Sequence, residues 1–234
     1  MPEHTSTQTQ QKAARIAGVT YLLIILSSIT SMFIGPYRLL VPGDTQATCV
    51  NIASHQLFFR AGILYDVLMY AAVVVLAVAL YVTLKPVNRY LALTAMLWRV
   101  GEAVLGCLGV AASLAAALLL GNGDYLTLIG APSQQGLVGL ILEIKDSFIQ
   151  VVFVFLSLGT ITYCILFYQS RYLPRWISVF GIAAFMIALI GAFSGILFSF
   201  KLAMVSGAPA ILFEITIGLR LWIKGITVRP RTNL

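Results

Sequence analysis

LALTAMLWRVGEAVLGCLGVAASLAAALLL, residues 91–120, decides the fold, because thirty consecutive residues carry only two charges, Arg99 and Glu102. A helix needs about 20 predominantly apolar residues to cross a bilayer, so this stretch reads as a transmembrane span. Three apart, Arg99 and Glu102 share one helix face. A charge near the bilayer centre costs roughly 2.5–3.5 kcal/mol on insertion scales. Such side chains therefore turn inward, toward partners or water.

The rest of the chain has the same character. It is 60% hydrophobic and 10% charged, whereas soluble domains are about 25% charged. The formal charge of +7 does not point to nucleic acid, because the basic residues fall between apolar runs and are not interleaved with aromatics. Cys49 falls in a connector and Cys107 and Cys164 in spans, without C-x-x-C spacing. His4 and His55 are the only histidines, so neither a disulfide framework nor a zinc site is indicated, and the cofactor is unknown, with haem ligation by His55 alone the weakly supported option.

Residues 1–15 form a polar, mobile tail containing Lys12 and Arg15. Ile16–Ile34 is a first span and not a signal peptide, whose apolar region is about 7–15 residues and ends in a small-x-small site. Gly35 and Pro36 break it. Asp44 is placed to cap a short helix of mixed polarity, Thr45–His55, which is expected at the outer interface. Span two is Ala61–Leu84, behind Arg60, and span three is Leu91–Leu120. Gly121-Asn122-Gly123-Asp124 is a turn and Tyr125–Gly136 an outer connector. Span four ends near Phe167, with Glu143, Lys145 and Asp146 at its outer boundary. Trp176–Phe200 is span five, Lys201–Pro209 a loop, and span six runs to Ile223.

The chain is thus expected to be an all-α integral membrane protein. Its single domain, residues 16–224, is a six-transmembrane-helix bundle, followed by a tail at 225–234. Lys12, Arg15, Lys85, Arg89, Arg171, Arg175, Lys224, Arg229 and Arg231 fall on one side, and the loops of the other side hold Arg38 and Lys201. Positive-inside asymmetry places both termini in the cytoplasm, N-in/C-in, in an inner membrane. The basic turns at 80–90 and 166–176 align without gaps. That fits either a parallel repeat or convergence, since such turns favour Lys/Arg flanked by Tyr/Trp.

The motifs Ala17-Gly18-Val19-Thr20-Tyr21-Leu22, Val41-Pro42-Gly43-Asp44, Leu57-Phe58-Phe59-Arg60, Leu84-Lys85-Pro86-Val87-Asn88, Leu173-Pro174-Arg175-Trp176 and Leu221-Trp222-Ile223-Lys224-Gly225 occur in an informative order and spacing. They resemble the bacterial six-span membrane family catalogued as domain of unknown function 4386, over nearly the whole chain. The resemblance implies a prokaryotic integral membrane protein. It implies no activity, so no residue inherits a role.

Depth sorts the buried charges. Arg99 lies ~12 Å inside span three at 1.5 Å per residue. Glu102 is one turn deeper, and Glu214 is near the middle of span six. With Asp66, these residues are candidates for a ligand-binding or coupling site in an outward-facing cavity. Arg60, Glu143 and Asp146 read as its outer mouth, Lys145 as a headgroup contact, and Arg220 as a snorkelling side chain. One cation against two anions leaves a carboxylate to be neutralised by a proton, a cation or water. This favours binding or transport of a small or lipid-like molecule. Three alternatives stay open. Arg99 could bridge Glu102 and Glu214 as a structural lock between spans three and six. An intramembrane enzyme could use Asp66, Glu102 or His55, although no H-E-x-x-H, G-x-S-x-G or phosphate-loop pattern is present. An accessory subunit could pair with a partner in the bilayer through Gly191-x-x-x-Gly195.

Overall fold

On residues 89–121 the buried positions include Ala92, Ala95, Arg99, Glu102, Gly106 and Ser113, spaced by three, four and seven. A helix with small and polar residues on its inner face lets neighbours approach closely, as membrane packing without a hydrophobic driving force requires. The computed structural model describes residues 2–33, 36–121, 130–198 and 207–227. These are entirely helical apart from short turns: α1 (Pro2–Phe33), a 3₁₀ turn (Pro36–Leu39), α2 (Thr45–Ser54), α3 (Gln56–Leu84), α4 (Arg89–Gly121), α5 (Ala131–Ser170), α6 (Arg175–Phe198) and α7 (Ala208–Lys224).

The six long helices close into a ring in chain order. Helix α3 packs on α4, α4 on α5, α5 on α6 and α6 on α7, and α1 completes the circle by packing on both α7 and α3. Among the described residues, five helices are long and apolar enough to cross a membrane: α1, α3, α4, α5 and α6. Many large apolar side chains, including Leu64, Leu97, Leu118 and Ile190, point outward from the ring, which suits a lipid surround.

Helices α1 and α7 approach backbone to backbone. A Cβ added to Gly18 would strike the backbone of Trp222 and lie 2.8 Å from the carbonyl oxygen of Gly218. Gly195 instead faces the side chain of Gln150 on α5, and Gly191 is buried among the chain's own helices.

Several boundaries differ from the sequence reading. The polar tail is helical, because α1 begins at Pro2, and it is held at Gln10 and Gln11. Gln10 donates to the carbonyl of Thr83 at 3.0 Å, and Gln11 accepts from the backbone N–H of Ile226 at 2.9 Å. The stretch from 131 to 136, read as connector, is already α5, since Pro132 sits in its first turn, where a missing N–H costs nothing. Asp44 caps α2 as its residue type suggests, accepting from Ala47 N–H at 2.8 Å. Gly35, Asn122–Asp124, Lys201, Arg229 and Arg231 lie outside the described residues.

Candidate functional site

Two separate polar clusters lie inside the ring. The first is central. Arg99, on α4, is among the largest fully buried side chains and only 1% exposed; Glu102, one turn on, is 4% exposed. Nη1 of Arg99 lies 2.9 Å from Oε2 of Glu102. Yet neither atom has an aligned hydrogen bond, and Nε of Arg99 has no partner either. The contact is thus a close ion pair along one helix, with guanidinium donors left over.

Residues from other helices surround it. Tyr21 on α1, Glu214 on α7 and Tyr163 on α5 lie within electrostatic reach of Arg99. Tyr163 donates its hydroxyl to the carbonyl of Ala77 on α3 at 3.1 Å. The stem of Arg99 rests on Gly159 of α5, where an added Cβ would come within 3.1 Å of Cγ and Cδ. Beside Gly159, the buried hydroxyls of Ser157 and Thr160 also lack partners. Glu214 is partly buried and acts on Arg99 and Glu102 through space. Among the described residues the one ion-pair contact is Arg99–Glu102, so Arg99 does not bridge the two carboxylates directly.

The second cluster is nearer the end opposite the basic turns. Asp66, placed with Arg99 by the sequence reading, belongs here. Its Oδ1 accepts from Ser31 of α1 at 3.2 Å, and its Oδ2 from Tyr37 at 3.4 Å. Lys145 of α5 is 6% exposed, with its ammonium 4.3 Å from the centre of the Tyr37 ring and within electrostatic reach of Asp66. Burial and the Asp66 carboxylate push the Tyr37 hydroxyl well above the ordinary tyrosine value, which keeps it a donor. A cavity of about 10 Å³ is lined by Tyr37, Asp66, Ser113 and Lys145; Arg99 and Glu102 do not reach it.

Lys145 is therefore not at the headgroups. The pattern that shows this is a seven-residue spacing: Val138, Lys145, Val152 and Gly159 are all buried on one stripe of α5. Helical periodicity carries that signal, whereas the count of residues back from Phe167 does not. Tyr21 and Tyr163 carry no charge pattern that would single them out from other interior aromatics.

Arg60, Glu143 and Asp146 are exposed. Glu143 lines an open groove of about 510 Å³ between α2 and α5, together with Thr45, Gln46 and Gln135; Arg60 and Asp146 are not part of that lining. Asp146 acts instead on Lys145 and Tyr37. Cys49 of α2 is 4% exposed, and burial raises its thiol above the ordinary cysteine value. No group of three or more His, Cys, Asp or Glu among the described residues is placed to hold a metal ion.

A family model described as a domain of unknown function, DUF4386, matches residues 16–225. No curated protein and no solved structure matches the chain.

Proposed function

The chain belongs to the DUF4386 family, and from that premise and the geometry above we propose that it binds or transports a small or lipid-like molecule. The ligand or coupling ion is engaged at the central cluster of Arg99, Glu102 and Glu214. Asp66, Arg60, Glu143 and Asp146 flank the approach from the extracytoplasmic side.

The reading takes the bundle as six spans in a bacterial inner membrane with both termini cytoplasmic. Helix α7 has 17 residues, ~26 Å at 1.5 Å per residue, close to the ~27–30 Å of a hydrocarbon core. Its packing on both α1 and α6 is what a sixth span would make. The orientation rests on the basic turns. The Thr83–Gln10, Ile226–Gln11 and Thr227–Tyr172 hydrogen bonds gather the ends of α1, α3, α5 and α7 beside Lys85, Arg171 and Lys224.

The observation that carries the function is Arg99. A guanidinium sealed inside a membrane with two nitrogens lacking aligned acceptors is costly. An interhelical ion lock does not explain the charge, because its ion contact lies on its own helix. A guanidinium whose Nε has no partner and whose Nη1 contact to Glu102 is poorly aligned, beside two carboxylates, suits a ligand that offers both an acceptor and a positive or hydrogen-bonding group. The test uses purified protein in lipid nanodiscs, assaying binding or flux across pH for Glu102→Gln and Glu214→Gln. Both variants should express and assemble normally while the pH dependence of the signal changes. If both instead misassemble, and Arg99→Met with Glu214→Leu restores assembly, a structural lock is the correct account.

A further inference from the structure

Lys145 and Asp66 are the second pair of opposite charges inside the bundle, at 6% and 9% exposure. They attract each other, yet they make no ion-pair contact. Between them lies the cavity of about 10 Å³, with Ser113 of α4 and Tyr37 also on its wall. That volume is about one water molecule, and a buried water needs two to four polar partners. The charges on its wall select the occupant. The Lys145 ammonium disfavours a cation there, and the Asp66 carboxylate disfavours an anion. A neutral water can accept from Nζ and donate to the carboxylate. The Ser113 hydroxyl donates to the carbonyl of Gly109 at 3.4 Å and keeps lone pairs to accept.

We propose that this cavity is a single-water site, and that the water joins Lys145 to Asp66 in a clasp that holds α1, α3, α4 and α5 together at the end away from the basic turns. Ser31 and Tyr37 complete the clasp by each donating to one oxygen of the carboxylate. It involves none of Arg99, Glu102 or Glu214 and shares only Asp66 with the proposed approach, so the melting experiment and the assay at the central cluster can fail independently.

The experiment compares melting temperatures of the full chain in detergent for Lys145→Met, Asp66→Asn, the double variant and Ser113→Val. Each charge substitution alone should lower the melting temperature, and the double variant should recover most of the loss. Ser113→Val fills the water's volume with methyl groups. It should lower the melting temperature in the native background and have little effect in the double variant, which keeps the test usable if a single variant fails to assemble. Strictly additive losses, or a native-like Ser113→Val, would overturn the clasp. So would a high-resolution structure showing Lys145 in direct contact with Asp66 and no solvent peak between them.

Discussion

The two buried charge pairs differ in how they are completed. Asp66 and Lys145 come from different helices, and both are surrounded by partners: two hydroxyls on the carboxylate and an aromatic face under the ammonium. Arg99 and Glu102 come from one helix, touch at 2.9 Å, and still leave Nε and Nη1 without aligned acceptors. A completed pair across helices is what holding a fold together requires. An incomplete pair within one helix does not hold helices together, and groups on α1, α5 and α7 lie within electrostatic reach of its guanidinium. The comparison assigns structure to the outer cluster and interaction to the inner one.

The largest effect should come from stranding a charge in the completed cluster. Lys145→Met leaves Asp66 buried without its countercharge, and stranding a buried charged group costs about 3 kcal/mol or more. Denaturant or thermal unfolding in micelles measures this, and a loss under about 1 kcal/mol would remove the distinction between the clusters. Arg99→Met should cost less, about 1–3 kcal/mol, because it strands Glu102 but also removes two unsatisfied donors from the interior. A larger loss for Arg99→Met than for Lys145→Met would reverse the assignment.

Glu214→Gln should be milder still for stability, since Glu214 makes no ion-pair contact; its effect should appear in ligand or proton coupling. The smallest effect is kinetic. The buried, raised thiol of Cys49 should react with an impermeant maleimide more slowly than a cysteine placed at the exposed Gln46 on the same short helix, because less of it is thiolate at neutral pH. Equal rates would show that α2 lies loosely against α4 and α5.

The same short helix supplies a topology reporter. A cysteine at Gln46 against one at the exposed Asn88 tests the orientation, whereas native Cys49 reports burial. Labelling of Asn88→Cys but not Gln46→Cys in intact cells would invert it.

The sequence carried the long helices well. Apolar runs bounded by Gly-Pro, Lys-Pro and Leu-Pro-Arg turns locate the long helices within a few residues at most ends, because a bilayer forces backbone hydrogen bonds inside the segment. Composition misled where the helix runs on past the apolar core. The polar start of α1 and the Pro132 region of α5 are helical because they dock on neighbours, which local polarity does not encode. The central pair was legible from the i, i+3 spacing of Arg99 and Glu102. Its separation from Asp66 was not, since depth along one helix says nothing about which neighbour a side chain meets. Lys145 was the clearest loss: distance from the membrane boundary outweighed the seven-residue stripe that places it inside.

The most direct test of the central claim is a structure of the purified protein in lipid nanodiscs, at a resolution that shows ordered solvent, inspected around Arg99. The account predicts non-protein density within hydrogen-bonding distance of Nε or Nη1, with Glu214 turned toward the same space. Finding the guanidinium fully paired by Glu102 and Glu214, or Glu214 turned out into the acyl chains, would contradict it.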